Sequence, residues 1–121
     1  MLFLCGKMNY LIPHDFVLRL LHPFKTTKRK MLGGYALYAH RKLLLLLRDS
    51  NIAPEYNGVF VATVPEFFKE LQAEIHTSRM EFDLDGSKES WVFISEDLED
   101  FEAKVAKACE MIKAGDERIG K

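Results

Sequence analysis

Cysteine, proline and tryptophan are scarce in this chain of 121 residues, at two, four and one respectively. Cys5 and Cys109 stand far apart, with no Cys-x-x-Cys pair and no metal-type spacing. That argues against a disulfide scaffold or a zinc module and predicts a reduced, cytoplasmic setting. Long apolar runs are missing as well. The apolar residues 1–5 give way to Gly6 and Lys7, well short of a signal-peptide core or the roughly 20 residues of a membrane span. Met8 follows so closely that residues 1–12 read as an extension or variable start. No repeat, low-complexity run or Pro/Gly-rich linker divides residues 1–121, which are expected to form one domain. Nor is there an excess of one charge: 17 Lys and Arg meet 18 Asp and Glu, for a net charge of −1 and a pI of about 6.4. A domain that holds nucleic acid by bulk positive potential is expected to be basic, so no tight nucleic-acid binding is predicted.

What is present fits an ordinary globular domain: 48% hydrophobic and 29% charged residues, enough for a sizeable core. Pro13 opens a first helix with Phe16, Val17, Leu20 and Leu21 on one face, and Pro23 closes it. Residues 24–30 are basic and polar and read as a loop. Residues 31–39 read as a strand, with a bulge or a close backbone approach at Gly33 and Gly34. His40, Arg41 and Lys42 make a polar turn, and the five leucines 43–47 a strand buried on both faces. A polar loop 49–57 ends in the turn signal Asn57-Gly58 before a strand at 59–63.

Thr63-Val64-Pro65-Glu66 fits a capping box. The helix behind it turns Phe67, Phe68, Leu71 and Ile75 inward and stops near His76. Met80, Phe82 and Leu84 alternate with Glu81, Asp83 and Asp85, the period-two pattern of a strand wet on one side, and Asp85-Gly86 marks a hairpin turn into a strand at 91–94. Ser95 or Asp97 caps a last helix whose stripe runs Leu98, Phe101, Val105, Ala108 and Ile112, with Gly115 just past its end. The expected order is α-β-β-β-α-β-β-α, an α+β fold with a mainly antiparallel five-stranded sheet packed with helices.

Charge is unevenly spread along this frame. Up to Arg48 nine Lys and Arg face a single acid, Asp15; from Asp49 onward eight bases face seventeen acids. Folding interleaves such halves, and mutual neutralisation is the plainer expectation. Lys25, Lys28, Arg29 and Lys30, with Tyr35, Tyr38 and Arg41 close by, are the best candidates for a basic and aromatic surface, because single-strand binders combine cations with stacking rings. A solvated loop is the alternative. Gly33 and Gly34 could offer N–H groups to a phosphate, but a phosphate loop needs a helix N-terminus behind it, and the glycines sit in a strand pattern.

The remaining chemistry reads as structural. Cys109 lies late in the last helix, where the dipole disfavours a thiolate. His14, His22, His40 and His76 show no i, i+4 pair and no ligand set. Glu96, Asp97, Glu99, Asp100 and Glu102 suit a helix start.

The segment Met31-Leu32-Gly33-Gly34-Tyr35-Ala36-Leu37-Tyr38 resembles the Met-Phe-Gly-Gly-Tyr-Gly-x-Tyr signature of the TfoX/Sxy N-terminal domain, with Leu32 in place of Phe and Ala36 in place of Gly. Small stand-alone relatives add Leu46-Leu47-Arg48, Asn57-Gly58-Val59-Phe60-Val61-Ala62-Thr63, Trp91, Asp100-Phe101-Glu102, Ala108-Cys109-Glu110 and Gly115-Asp116-Glu117-Arg118-Ile119-Gly120-Lys121. The similarity spans residues 28–121. It implies a secretion-chaperone-like α+β sheet of bacterial type. Full-length members regulate natural competence with a transcription activator and carry a second domain, for which 121 residues leave no room.

With this resemblance, the expected function is a non-catalytic, regulatory protein-interaction domain. It would act through a protein partner or as a homodimer, without membrane association, catalytic residues, metal or cofactor. The alternative is a small-molecule or nucleotide-binding domain. The candidate partner- or ligand-binding residues are Lys28, Arg29, Lys30, Gly33, Gly34, Tyr38, His40 and Arg41. A cleft joining Arg29, Tyr38, His40 and Arg41 would favour the alternative; a flat apolar patch would favour a protein partner.

Overall fold

The computed structural model describes residues 12–31, 33–77 and 89–121. Helix α1 (Phe16–Leu21) leads into four strands, β1 (Thr27–Met31), β2 (Gly34–Ala39), β3 (Lys42–Arg48) and β4 (Gly58–Ala62). Helix α2 (Pro65–Ile75), strand β5 (Trp91–Ser95) and helix α3 (Phe101–Lys113) follow. The sheet order is β1-β2-β3-β4-β5 with every pairing antiparallel. This is the expected α+β architecture, a five-stranded antiparallel sheet packed against helices.

Among the described residues the order of elements differs from the expected one at the start of the sheet. The basic stretch read as a loop is strand β1, and the glycines read as part of one strand belong to a hairpin. Gly33, just before β2, takes φ +82°. Polar β1 is an edge strand with Thr27, Lys28, Arg29 and Lys30 all exposed, so no apolar alternation marks it in the sequence. Its register comes from β2, with Thr27 opposite Tyr38 and Met31 opposite Gly34. The strand expected around Met80, Phe82 and Leu84, and the Asp85-Gly86 turn, lie outside the described residues.

A close backbone approach does occur at Gly34, where an added Cβ would lie 1.9 Å from the Leu47 carbonyl oxygen. The bulge lies elsewhere. Leu37 faces Leu45 while Tyr38 faces Leu43, so Leu44 is the extra residue. Leu44 and Leu45 thereby both join the helix-side core with Leu37, Leu47, Val59 and Val61, against Val17, Leu71 and Val105 from the three helices. The opposite face gathers Ala36, Leu43, Leu46, Phe60, Ala62 and Trp91. All five leucines are buried, as their unbroken run predicts. Burying each is worth about 1.5–3 kcal/mol.

The helical stripes are largely as expected. Phe68, Leu71 and Ile75 of α2 and Phe101, Val105, Ala108 and Ile112 of α3 are buried, while Phe16, Leu20 and Leu98 are half-buried against the same core. The caps are not as expected. Thr63 does not cap α2; its hydroxyl donates to the Arg118 carbonyl at 2.6 Å, and Pro65 starts the helix after an extended Val64. Ser95 Oγ accepts from the Asp97 amide at 3.1 Å, within a turn that delays α3 until Asp100 stands at its N-cap. Glu96, Asp97 and Glu99 therefore precede the helix, and Glu102 is the acid in its first turn. At the other end, Gly115 takes φ +78° and its amide bonds to the Ile112 carbonyl, while Asp116 N–H bonds to Met111 O, both at 3.0 Å. These are the two bonds of a Schellman motif, which needs a left-handed residue at this position.

Behind that turn the chain returns to the sheet. Ile119 is buried, Gly120 N–H donates to Ala62 O at 2.7 Å, and Lys121 exchanges both backbone bonds with Leu43 at 3.0 and 3.1 Å. The Lys121 ammonium sits 4.3 Å from the Trp91 ring centroid. Among the described residues no helix is long and apolar enough to cross a membrane.

Candidate functional site

The β1–β2 pairing determines which candidate residues meet. Because Thr27 faces Tyr38, the residues leading into β1 lie beside the end of β2 and the turn that follows it. There a cleft of about 670 Å³ opens, lined on one wall by Lys25, Thr26, Thr27, Lys28 and Arg29. Tyr38, Ala39, His40 and Arg41 line the other wall. Among the described residues the lining contains four lysine and arginine side chains, one histidine, one phenol and no carboxylate. Its volume falls within the usual range for small-molecule sites.

Tight turn geometry holds the second wall. His40 (φ +53°) and Arg41 (φ +65°) form the two-residue connection between β2 and β3, with Ala39 opposite Lys42. Two left-handed positions in a row define the hairpin turn that normally takes Asn-Gly. For residues with a Cβ each costs about 1–2 kcal/mol, and strain of this kind gathers at ligand sites. The His40 ring is steadied by an edge contact with Phe24, centroids 5.9 Å apart at 67°.

Among the described residues neutralisation by the acidic half does not reach this cleft: no carboxylate forms an ion pair with Lys25, Lys28, Arg29 or Arg41, while Asp100, Glu74, Glu70 and Asp116 pair with Lys104, Lys107 and Arg118. Of the eight predicted site residues, Lys28, Arg29, Tyr38, His40 and Arg41 line the cleft. Lys30, Gly33 and Gly34 are not part of that lining. Gly34 pairs with Met31 at the other end of the hairpin, four residues or roughly 13 Å along β2 from Tyr38, whereas Lys30 directly follows Arg29 on β1. Lys25 was legible as part of the basic run; Thr26 and Thr27 were not, because only the strand register brings them in.

Other polar clusters have structural employment. The Arg118 guanidinium donates to the Asp116 carboxylate through paired bonds of 3.0 and 2.7 Å, with Glu74 at 3.5 Å and Glu70 at 3.6 Å. Arg118 beside it holds the Asp116 carboxyl below the usual carboxylate range. Arg48 is a buried arginine whose guanidinium donates to Ala53 O at 2.9 Å, to Asn57 Oδ1 at 3.0 Å and to Ile52 O. Asn57 in turn bridges Ser50 through both ends of its amide, at 2.8 and 3.0 Å. Asn57-Gly58 is thus the anchor of the 49–57 loop and not a two-residue hairpin. His14 Nε2 lies 3.1 Å from the Arg48 carbonyl and 3.4 Å from Glu96 Oε1. Burial pushes the Cys109 thiol up to about 12. Among the described residues no three His, Cys, Asp or Glu side chains converge closely enough to hold a metal ion.

The geometry of the cleft can bind and orient an anion. No family model, no curated protein and no solved structure matches this chain.

Proposed function

We propose that this domain binds a small phosphate-bearing molecule in the cleft between the start of β1 and the His40-Arg41 turn. The observation that carries this is the convergence of Lys25, Lys28, Arg29 and Arg41 on one concave site with no acid among the described residues of its lining. Arginine forks suit phosphate oxygens bidentately and lysines add point charge. Tyr38 offers an aromatic surface beside them, and the strained turn holds His40 and Arg41 in place. Edge protection by charged side chains accounts for cations on β1, but not for Lys25 or Arg41, which lie off that strand.

A protein partner or a homodimer would be supported by an exposed apolar patch. Among the described residues the large hydrophobic side chain that stands out in solvent is Ile52, at 78% exposure, and a lone residue is no patch. Membership of the TfoX/Sxy family is likewise a proposal. It rests on the resemblance of segments 31–38 and 115–121 to that family's sequences.

Titration calorimetry with pyrophosphate tests the reading. Saturable binding below about 1 mM is expected, weakening about tenfold for Arg29→Ala and again for Arg41→Ala, the worth of a charge-assisted hydrogen bond. Binding unaffected by both substitutions, or none at all, would refute it. A duplex oligonucleotide at about 150 mM salt should bind no tighter than about 1 μM; tighter binding would point to nucleic acid in place of a small ligand.

A further inference from the structure

A second cleft, of about 260 Å³, adjoins the first, and Ala39 and His40 line both. Its character is different. Phe24, Leu44, Ile112 and Ile119 give it an apolar floor continuous with the helix-side core. Three departures from regular structure build that floor: the bulge that adds Leu44 to the helix face, the Schellman turn after α3, and the returning tail that brings in Ile119. Its rim is mixed, with Lys42 and Lys113 against Asp116 and Glu117. The last carbonyls of α3 add negative potential there.

This polarity would orient a ligand that touched both clefts. An anionic group is favoured among the cations of the first cleft and disfavoured beside Asp116, Glu117 and the helix end. An apolar group is favoured against Phe24, Leu44 and Ile119. Resting on the phosphate reading above, we propose that the two clefts form one bipartite site for a free single-chain amphipathic phosphate. Its head would lie among Lys25, Arg29 and Arg41, and its chain would cross Ala39 and His40 into the second cleft.

A series of methyl, butyl, hexyl, octyl and decyl monophosphates, each below its micelle concentration, tests this by calorimetry on the whole chain. Affinity should rise by up to about fourfold per added methylene, the increment for full apolar burial. The rise should level off within the series, once the second cleft of about 260 Å³ is filled. Ile119→Ala, at a position that lines the second cleft alone, should flatten the chain-length dependence and leave pyrophosphate binding intact. Methyl signals of Ile112 and Ile119 should shift with octyl phosphate and stay still with pyrophosphate, a readout that needs no variant. Pyrophosphate binding with no chain-length dependence overturns the bipartite site alone. Loss of binding to every phosphate overturns the phosphate reading too. Binding to phosphatidylglycerol vesicles without binding to octyl phosphate also overturns the proposal, because the surface would then take a membrane headgroup.

Discussion

Replacing Gly34 with alanine should be among the most damaging single-methyl additions in the molecule. The new Cβ would sit 1.9 Å from the Leu47 carbonyl oxygen, 2.8 Å from its carbon and 2.9 Å from Arg48 Cα, all backbone atoms of β3. Ordinary contact begins near 3.4 Å, so the strands must part locally by roughly 1.5 Å, which breaks the adjacent ladder bonds. About two lost hydrogen bonds at ~1 kcal/mol each and ~1–3 kcal/mol of overpacking, less ~0.5–1 kcal/mol regained because alanine is stiffer than glycine, give a net loss of about 2–4 kcal/mol. Urea unfolding followed by the single Trp91 should show the midpoint falling by about 1–2 M at unchanged slope. Gly115→Ala is the control: its Cβ would meet nothing within 4 Å at φ +78°, leaving only the left-handed penalty of about 1 kcal/mol. If Gly34→Ala costs less than about 1 kcal/mol, or no more than the control, the strand approach is not what requires glycine there.

Phe101→Ala should cost about 3–5 kcal/mol, because the ring is buried at the head of α3 with His14 at 5.4 Å and Phe16 at 5.9 Å; a loss under about 0.5 kcal/mol in chemical unfolding would contradict that packing. Cys109 should resist alkylation near neutral pH in the folded protein, since burial lifts its thiol to about 12, and rapid selective labelling at about pH 6 would refute this. Asp116→Asn should cost about 1–2 kcal/mol at neutral pH. Because Arg118 depresses the folded pKa of Asp116, its contribution is complete above the unfolded value of about 4 and is lost as pH falls through the folded one. Wild type and variant should therefore converge in strong acid, and a gap that stays constant down to about pH 2 would exclude the pairing as its source.

Where burial was one-sided or complete, the sequence carried the fold. The leucines 43–47 and the stripe from Phe101 to Ile112 obey simple periodicities because both pack into the core. Strand β1 was illegible for the opposite reason: an edge strand exposed along four positions imposes no apolar period, and only pairing with β2 makes it a strand. The caps failed because tertiary contacts claimed their groups, as when Thr63 turned its hydroxyl to Arg118 across 55 residues. For the cleft, the residue types were readable, but their grouping was not. Register placed Thr27 beside Tyr38, next to the His40-Arg41 turn, and left Gly34 at the far end of the hairpin.

Arg48 bears on how freely this protein can diverge. Loops between strands ordinarily absorb insertions and sequence drift with little penalty. The 49–57 loop has another duty, because its carbonyls and Asn57 replace the water that a guanidinium inside the protein has given up. Lengthening it, or exchanging Asn57 for an apolar residue, would strand a permanent charge that cannot shed its proton to escape. The 49–57 connection is therefore expected to tolerate change poorly. Grafts and tags aimed at this domain belong at other turns.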